Sequence, residues 1–190
     1  MAPPTIRGSA FSADVVEFIR LCQRFALRYL VVGGEAVIFH GYPRLTGHID
    51  FFYERRPANA ERLFQALEIF WDHNIPGLRA AKELLEPGVI IQFGRAPNRI
   101  DLHNQTTGVS FAKAWKSRVV VHLETNSGQL SLRYLGIGLL QLNKRATARA
   151  RDLDDLEHLT VLTKGPQRRT RRKGLNNDKR RIRKNFGGRL

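Results

Sequence analysis

The chain has 190 residues, 42% of them hydrophobic, and a formal net charge of +15, so it can build a real core and is not a wholly disordered polycation. No apolar run approaches the length that spans a bilayer, which excludes a helical membrane protein. The lone Cys22 excludes an internal disulfide, and its apolar helical surroundings read as burial of a small hydrophobe.

Taken in order, Met1 to Ala10 contains Pro and Gly and is expected to be loose. No signal-peptide pattern precedes Phe11, so a cytoplasmic protein is expected. Ser12 is a candidate N-cap for a helix through Leu27, in which Val15, Phe18, Ile19, Cys22, Phe25 and Ala26 recur at helical spacing. Tyr29 to Val32 is an apolar strand, stopped by a turn at Gly33 and Gly34. Glu35 to His40 fits a short helix ended by Gly41 and Pro43. A second strand, His48 to Phe52, puts His48, Asp50 and Phe52 on one face, and turns Ile49 and Phe51 towards a core. A side-chain-free turn held beside a strand that carries Asp50 suits a phosphate next to a metal-binding carboxylate.

Pro57 sits in the first turn of a helix running to about Asn74, with Trp71 in its apolar stripe as a core residue. Arg79 to Leu85 reads as another short helix. Val89 to Phe93 and Arg99 to Leu102 read as strands across a turn at Gly94 to Asn98. Asp101 lies between apolar neighbours, a position that demands a partner. Ser110 opens a brief helix through Trp115. Val119 to Leu123 and Gln129 to Arg133 form a hairpin around Asn126-Ser127-Gly128. Leu135 to Arg149 and Asp152 to Leu162 read as two helices. From Lys164 onward there are 12 Lys or Arg against one Asp, a net of +11, leaving only +4 of the +15 for the rest. The expected organisation is an α/β (α+β) domain over 1–163 and a basic flexible tail over 164–190. The domain should be a small mixed sheet with helices on one side and C-terminal helices over about 135–163.

Several of these stretches together resemble a known family. Gly33-Gly34, the run His40-Gly41-Tyr42-Pro43-Arg44-Leu45-Thr46, and Ile49-Asp50 are similar to the signature of polymerase-β-type nucleotidyltransferases. The closest branch is the small prokaryotic one with minimal nucleotidyltransferases and abortive-infection-type toxins. Asn98-Arg99-Ile100-Asp101-Leu102 resembles the strand that carries that family's third carboxylate. Leu139 to Ala146 with Arg151 to Leu156 resembles its C-terminal element. The family has Asp-hydrophobic-Asp on the second strand, and His48 stands at the first Asp.

The resemblance implies a function. A nucleoside monophosphate would pass from a nucleoside triphosphate to an RNA (tRNA) or protein acceptor, in a toxin–antitoxin or phage-defence setting. Asp50 and Asp101 would be catalytic, and His48, Asp50 and Asp101 would ligate magnesium or manganese. Gly33, Gly34, Arg44, Thr46, Lys144 and Asp152 would hold the nucleotide. The partners implied are the nucleoside triphosphate, RNA on the basic tail, and a cognate toxin or antitoxin protein, with no membrane. The alternative is a catalytically degenerate protein of the same fold that binds nucleotide, RNA or a partner protein. Each residue also has an ordinary reading. Asp50 could pair with Arg44, Asp101 with Arg99 or Arg118, and Lys144 with Asp152. Imidazole is a poorer magnesium ligand than carboxylate and suits manganese or zinc better. Its deprotonation should make activity fall below roughly pH 6.5.

Overall fold

The computed structural model describes residues 3–164, so the expected basic tail over 164–190 lies outside the described residues except for Lys164, which ends the last helix. Seven strands form one mixed sheet in the order β1-β6-β7-β2-β3-β5-β4. Its centre is β2 (Tyr29–Val32) antiparallel to β3 (His48–Tyr53), with β5 (Arg99–His103) parallel to β3 on the far side. β4 (Ile90–Phe93) closes that edge, and β6 (Val119–Thr125) and β7 (Gly128–Tyr134) form the expected hairpin on the other. The α/β class stands.

The central strands are β-branched and aromatic, and they bury both faces. Phe51 meets Phe18 of α1 (Ala13–Arg24) edge-to-face at 5.0 Å between ring centroids. Phe52, the next residue and therefore on the opposite face, meets Phe111 of α4 (Phe111–Lys116) at 5.2 Å. Helices thus cover both faces, not one. α3 (Pro57–Phe70) packs with α1 on the Phe51 face, and Trp71 lies partly buried beside Phe93. α3 ends before Asn74 because Asp72 and His73 take left-handed backbone angles, φ 46° and 61°. Cys22 is buried, as expected.

A second correction concerns the N-terminus. Thr5–Arg7 is a strand, β1, parallel to β6, where looseness was expected. Three residues of mixed polarity carry no readable period. Their order comes from backbone pairing with a strand more than 100 residues away. The segment Arg79 to Leu85 forms a 3-10 turn over Ala81–Leu85 rather than an α-helix. No helix among the described residues is long and apolar enough to cross a membrane.

Asn59 on α3 ties the two central strands together. Its Oδ1 accepts from the Arg28 N–H at 2.9 Å, and its Nδ2 donates to the carbonyls of Arg28 and Glu54 at 3.1 and 3.0 Å. The side chain is buried, so truncation strands the Arg28 N–H and takes one of two bonds from each carbonyl, which keep the N–H groups of Glu54 and Arg56. Asn59→Ala should destabilise the fold by about 2–3 kcal/mol, at about 1 kcal/mol per bond. Urea denaturation checks this: a shift under about 0.5 kcal/mol would show the bonds to be dispensable.

Candidate functional site

β2, the loop after it and β3 build one end of the site. β2 runs into α2 (Gly33–Phe39) at Gly33, whose φ is +62°. A Cβ on Gly33 would stand 2.0 Å from Asp50 Oδ2, so a side chain there would occupy the carboxylate's own space. Gly34 is also tight, its absent Cβ lying 2.9 Å from both Arg44 Nη2 and Thr46 Oγ1. The turn and Asp50 therefore meet at backbone distance, as the pattern implied. Thr46 Oγ1 donates to the His48 carbonyl at 3.0 Å and pins the incoming loop to β3.

β3 and β5 pair in parallel with Asp50 directly opposite Asp101. Both side chains leave the sheet on the face of His48. His48 Nε2 lies 3.3 Å from Asp50 Oδ2 and 4.0 Å from Asp101 Oδ2. One donor atom from each of the three residues falls within 4.8 Å of the others, so the cluster could hold a metal ion. His48 sits above its ordinary pKa, chiefly through its hydrogen bond to Asp50, which outweighs the opposing effect of burial.

The charge balance limits what fits. Arg99 grips Asp101 with two bonds, Nε to Oδ1 at 2.7 Å and Nη2 to Oδ2 at 2.8 Å, and Gln92 Nε2 adds a third at 3.0 Å. Asp101 thus pairs with Arg99, one of its two ordinary alternatives, and not with Arg118. Asp50 and Asp101 carry two negative charges, and Arg99 already offsets one. One divalent ion fits among His48, Asp50 and Asp101; a pair of dications would be under-neutralised. An imidazole with two carboxylates is a donor set for manganese or zinc more than for magnesium.

The C-terminal helices α5 (Ile137–Thr147) and α6 (Ala150–Lys164) supply the other wall. Lys144 Nζ lies 2.7 Å from Asp152 Oδ1 and 2.9 Å from Asp155 Oδ2. Arg44 does not pair with Asp50. It clamps Asp155, Nε to Oδ1 at 2.6 Å and Nη2 to Oδ2 at 3.0 Å. Two cations and two carboxylates so neutralise each other in a buried cluster. Burial pushes the Asp152 carboxyl up, yet the hydrogen bond and charge of Lys144 prevail and hold it below its usual range. Lys144 therefore welds α5 to α6, and its removal would leave the buried Asp152 without its ion-pair partner, while Asp155 would keep Arg44. Asp152 Oδ2 is buried with no hydrogen-bond partner among the described residues. It is an acceptor held ready for a donor.

One cleft of about 530 Å³ gathers Gly33, Gly34, Arg44, Thr46, His48, Asp50, Asp101, Lys144 and Asp152. All nine residues singled out in the sequence line it, although they come from five separate stretches. That volume suits a nucleotide-sized ligand. The sequence reading passed over Gln92, Asp155, Arg149 and Arg151. Arg149 and Arg151 are exposed on the cleft rim, and neither forms an ion pair among the described residues. The basic run Arg145 to Arg151 between two helices was the available signal. Nothing in the sequence told Asp155 from its neighbour Asp154. No family model matches the chain, and no curated protein matches it in sequence.

Proposed function

We propose that the chain is a nucleotidyltransferase of polymerase-β type, moving a nucleoside monophosphate from a nucleoside triphosphate to a hydroxyl of an RNA or protein acceptor. The observation that carries the reading is the register of Asp50 against Asp101 with Gly33 closed onto Asp50 in one cleft. The Gly33-Gly34 turn lets Asp50, Arg44 and Thr46 close onto the backbone at one end of the cleft, and the guanidinium groups of Arg149 and Arg151, the latter also donating to the Leu45 carbonyl, bring positive charge to its rim for a triphosphate. Asp50 is the more open carboxylate and orients the acceptor. The acceptor oxygen attacks the α-phosphorus, the bond to the β-phosphate oxygen breaks, pyrophosphate leaves and the hydroxyl proton passes to Asp50. A divalent ion, magnesium or manganese, would be held by His48, Asp50 and Asp101 and would neutralise phosphate charge. A cytoplasmic toxin–antitoxin or phage-defence setting, with a cognate toxin or antitoxin protein, belongs to the same proposal.

A second reading, a nucleotide-binding protein without turnover, is favoured by one observation: Arg99 occupies both oxygens of Asp101. Labelled nucleoside triphosphates incubated with bulk tRNA and with magnesium or manganese separate the two. Transfer should appear in the wild type and fall about a thousandfold in Asp50→Asn and in Asp101→Asn, with circular dichroism unchanged. Wild-type turnover in either folded variant would remove this site assignment. Triphosphate binding with no transfer would favour the second reading.

A further inference from the structure

A second cleft, of about 610 Å³, opens on the same face of the sheet. It shares Ile90, His103, Gln105, Thr106 and Thr107 with the first, so the two form one groove. Phe52, buried beneath it, lies four residues beyond His48 on β3, about 13 Å further along the strand. His103 stacks on Phe52 at 5.7 Å between ring centroids, and Ile90 is 65% exposed beside it. The groove surface here is the exposed Ile90 and the half-buried His103 ring carried on Phe52, where the first cleft is charged.

At its far end the groove meets a run of cations. Arg56 and Arg28 both contact Glu54, at 3.5 and 3.0 Å. The Arg28 guanidinium then lies 4.6 Å from the Trp115 ring centroid, and those of Arg118 and Arg133 lie 4.3 and 5.7 Å from the same centroid. Glu54, against Arg28 and Arg56, is the one carboxylate that contacts any of these four guanidiniums among the described residues. Arg118 and Arg133 form no ion pair among the described residues, and Arg118 Nε is buried without a hydrogen-bond partner. Lys113 and Lys116 add exposed charge on α4. Like charges converging on one indole leave a deficit that an anion would fill. Guanidinium groups are the natural partners of phosphates.

We propose that this arginine cluster around Trp115 docks the backbone of a single-stranded nucleic acid, whose end follows the groove over Ile90 and His103 towards Asp50. Phosphates in series match separated cations, and the floor made by Ile90 and the His103 ring offers packing for a base. An acidic protein would use the charges but would leave that floor unused. The docking surface stands by its own charges. Only the role of the strand as acceptor rests on the transferase reading.

Fluorescence anisotropy with labelled single-stranded RNA and DNA of about 12 nucleotides tests it on the full chain. The variant is Arg56→Gln/Arg118→Gln/Arg133→Gln. The control removes the same charge at exposed positions away from the groove, as Arg24→Gln/Arg62→Gln/Arg79→Gln. The groove variant should bind about tenfold more weakly than the control, and its slope of log affinity against log salt should fall by about 2. The RNA and DNA arms identify which strand is preferred. Affinity equal to wild type, or a loss no greater than the control's, overturns the proposal. So does displacement of the strand by polyglutamate as readily as by unlabelled RNA, which would mark a protein-docking surface. If the triple variant melts early, Lys113→Gln/Lys116→Gln, at exposed positions, should also bind more weakly than wild type, with a slope loss of about 1.4 for its two charges. Nucleotide binding should be intact in the groove variants. If no nucleoside triphosphate binds at all, the transferase reading fails while the strand-binding result still decides this one.

Discussion

Gly33→Ala should reduce nucleoside triphosphate binding and any transfer by about a hundredfold, the scale expected when a reacting group is displaced by about 1 Å. Two separate physical effects act at this position. The backbone is left-handed at φ +62°, which costs a residue with a Cβ about 1–3 kcal/mol. The new methyl would also stand 2.0 Å from Asp50 Oδ2, far inside contact distance, so either the turn or the carboxylate must move. A second glycine separates these effects. Gly77 has φ +74° and nothing within 4 Å of its Cβ position, so Gly77→Ala carries the strain without the clash. Both variants should lose comparable stability through backbone strain, with an added loss for Gly33→Ala. Only Gly33→Ala should lose ligand binding. Isothermal titration with a nucleoside triphosphate, beside a denaturation curve for each variant, reads both quantities. Wild-type affinity in a folded Gly33→Ala would mean that no ligand group approaches this turn.

The sequence made the strand pair at the centre of the site readable because alternation acts locally. His48, Asp50 and Phe52 share a face by period alone, and an Asp between Ile100 and Leu102 needs a partner wherever the chain goes. What escaped was long-range. Arg44 is separated by 111 residues from Asp155, the carboxylate it clamps, and the acidic run Asp152 to Asp155 does not say which member is buried. The same limit hid β1, whose order depends on β6. Helices on both faces also follow from Phe52, which looks like a floor residue of an open site until Phe111 covers it. Arg99 is the instructive case. Read singly it was an ordinary ion-pair partner. In the cleft it sets the charge available to a metal.

His48→Asp should convert a site that favours manganese into one that binds magnesium at least tenfold more tightly than wild type. On β3 the new carboxylate would project from the face of Asp50 and Asp101, adding a hard oxygen donor and a negative charge. Against the single positive charge of Arg99, the site would then offer a net charge of −2 to an incoming cation, where the neutral imidazole offers −1. Three carboxylates repel each other without a cation, so the unloaded variant should melt earlier than wild type and regain stability as magnesium is added. Protons compete with the metal in wild type. His48 sits above its ordinary value because of its hydrogen bond to Asp50, so its protonated form persists to higher pH than a free imidazole's. Metal affinity in wild type should therefore weaken as pH falls through that raised value, a midpoint above the free-histidine figure of about 6.5 rather than at it. The variant, lacking the imidazole, should show no break in that range. Thermal melts across magnesium and manganese titrations at several pH values measure all of this without requiring turnover. If the folded variant gains no magnesium-dependent stability, residue 48 does not border the cation, and the two-point grip of Arg99 on Asp101 becomes the reason the cleft binds nucleotide without turning it over.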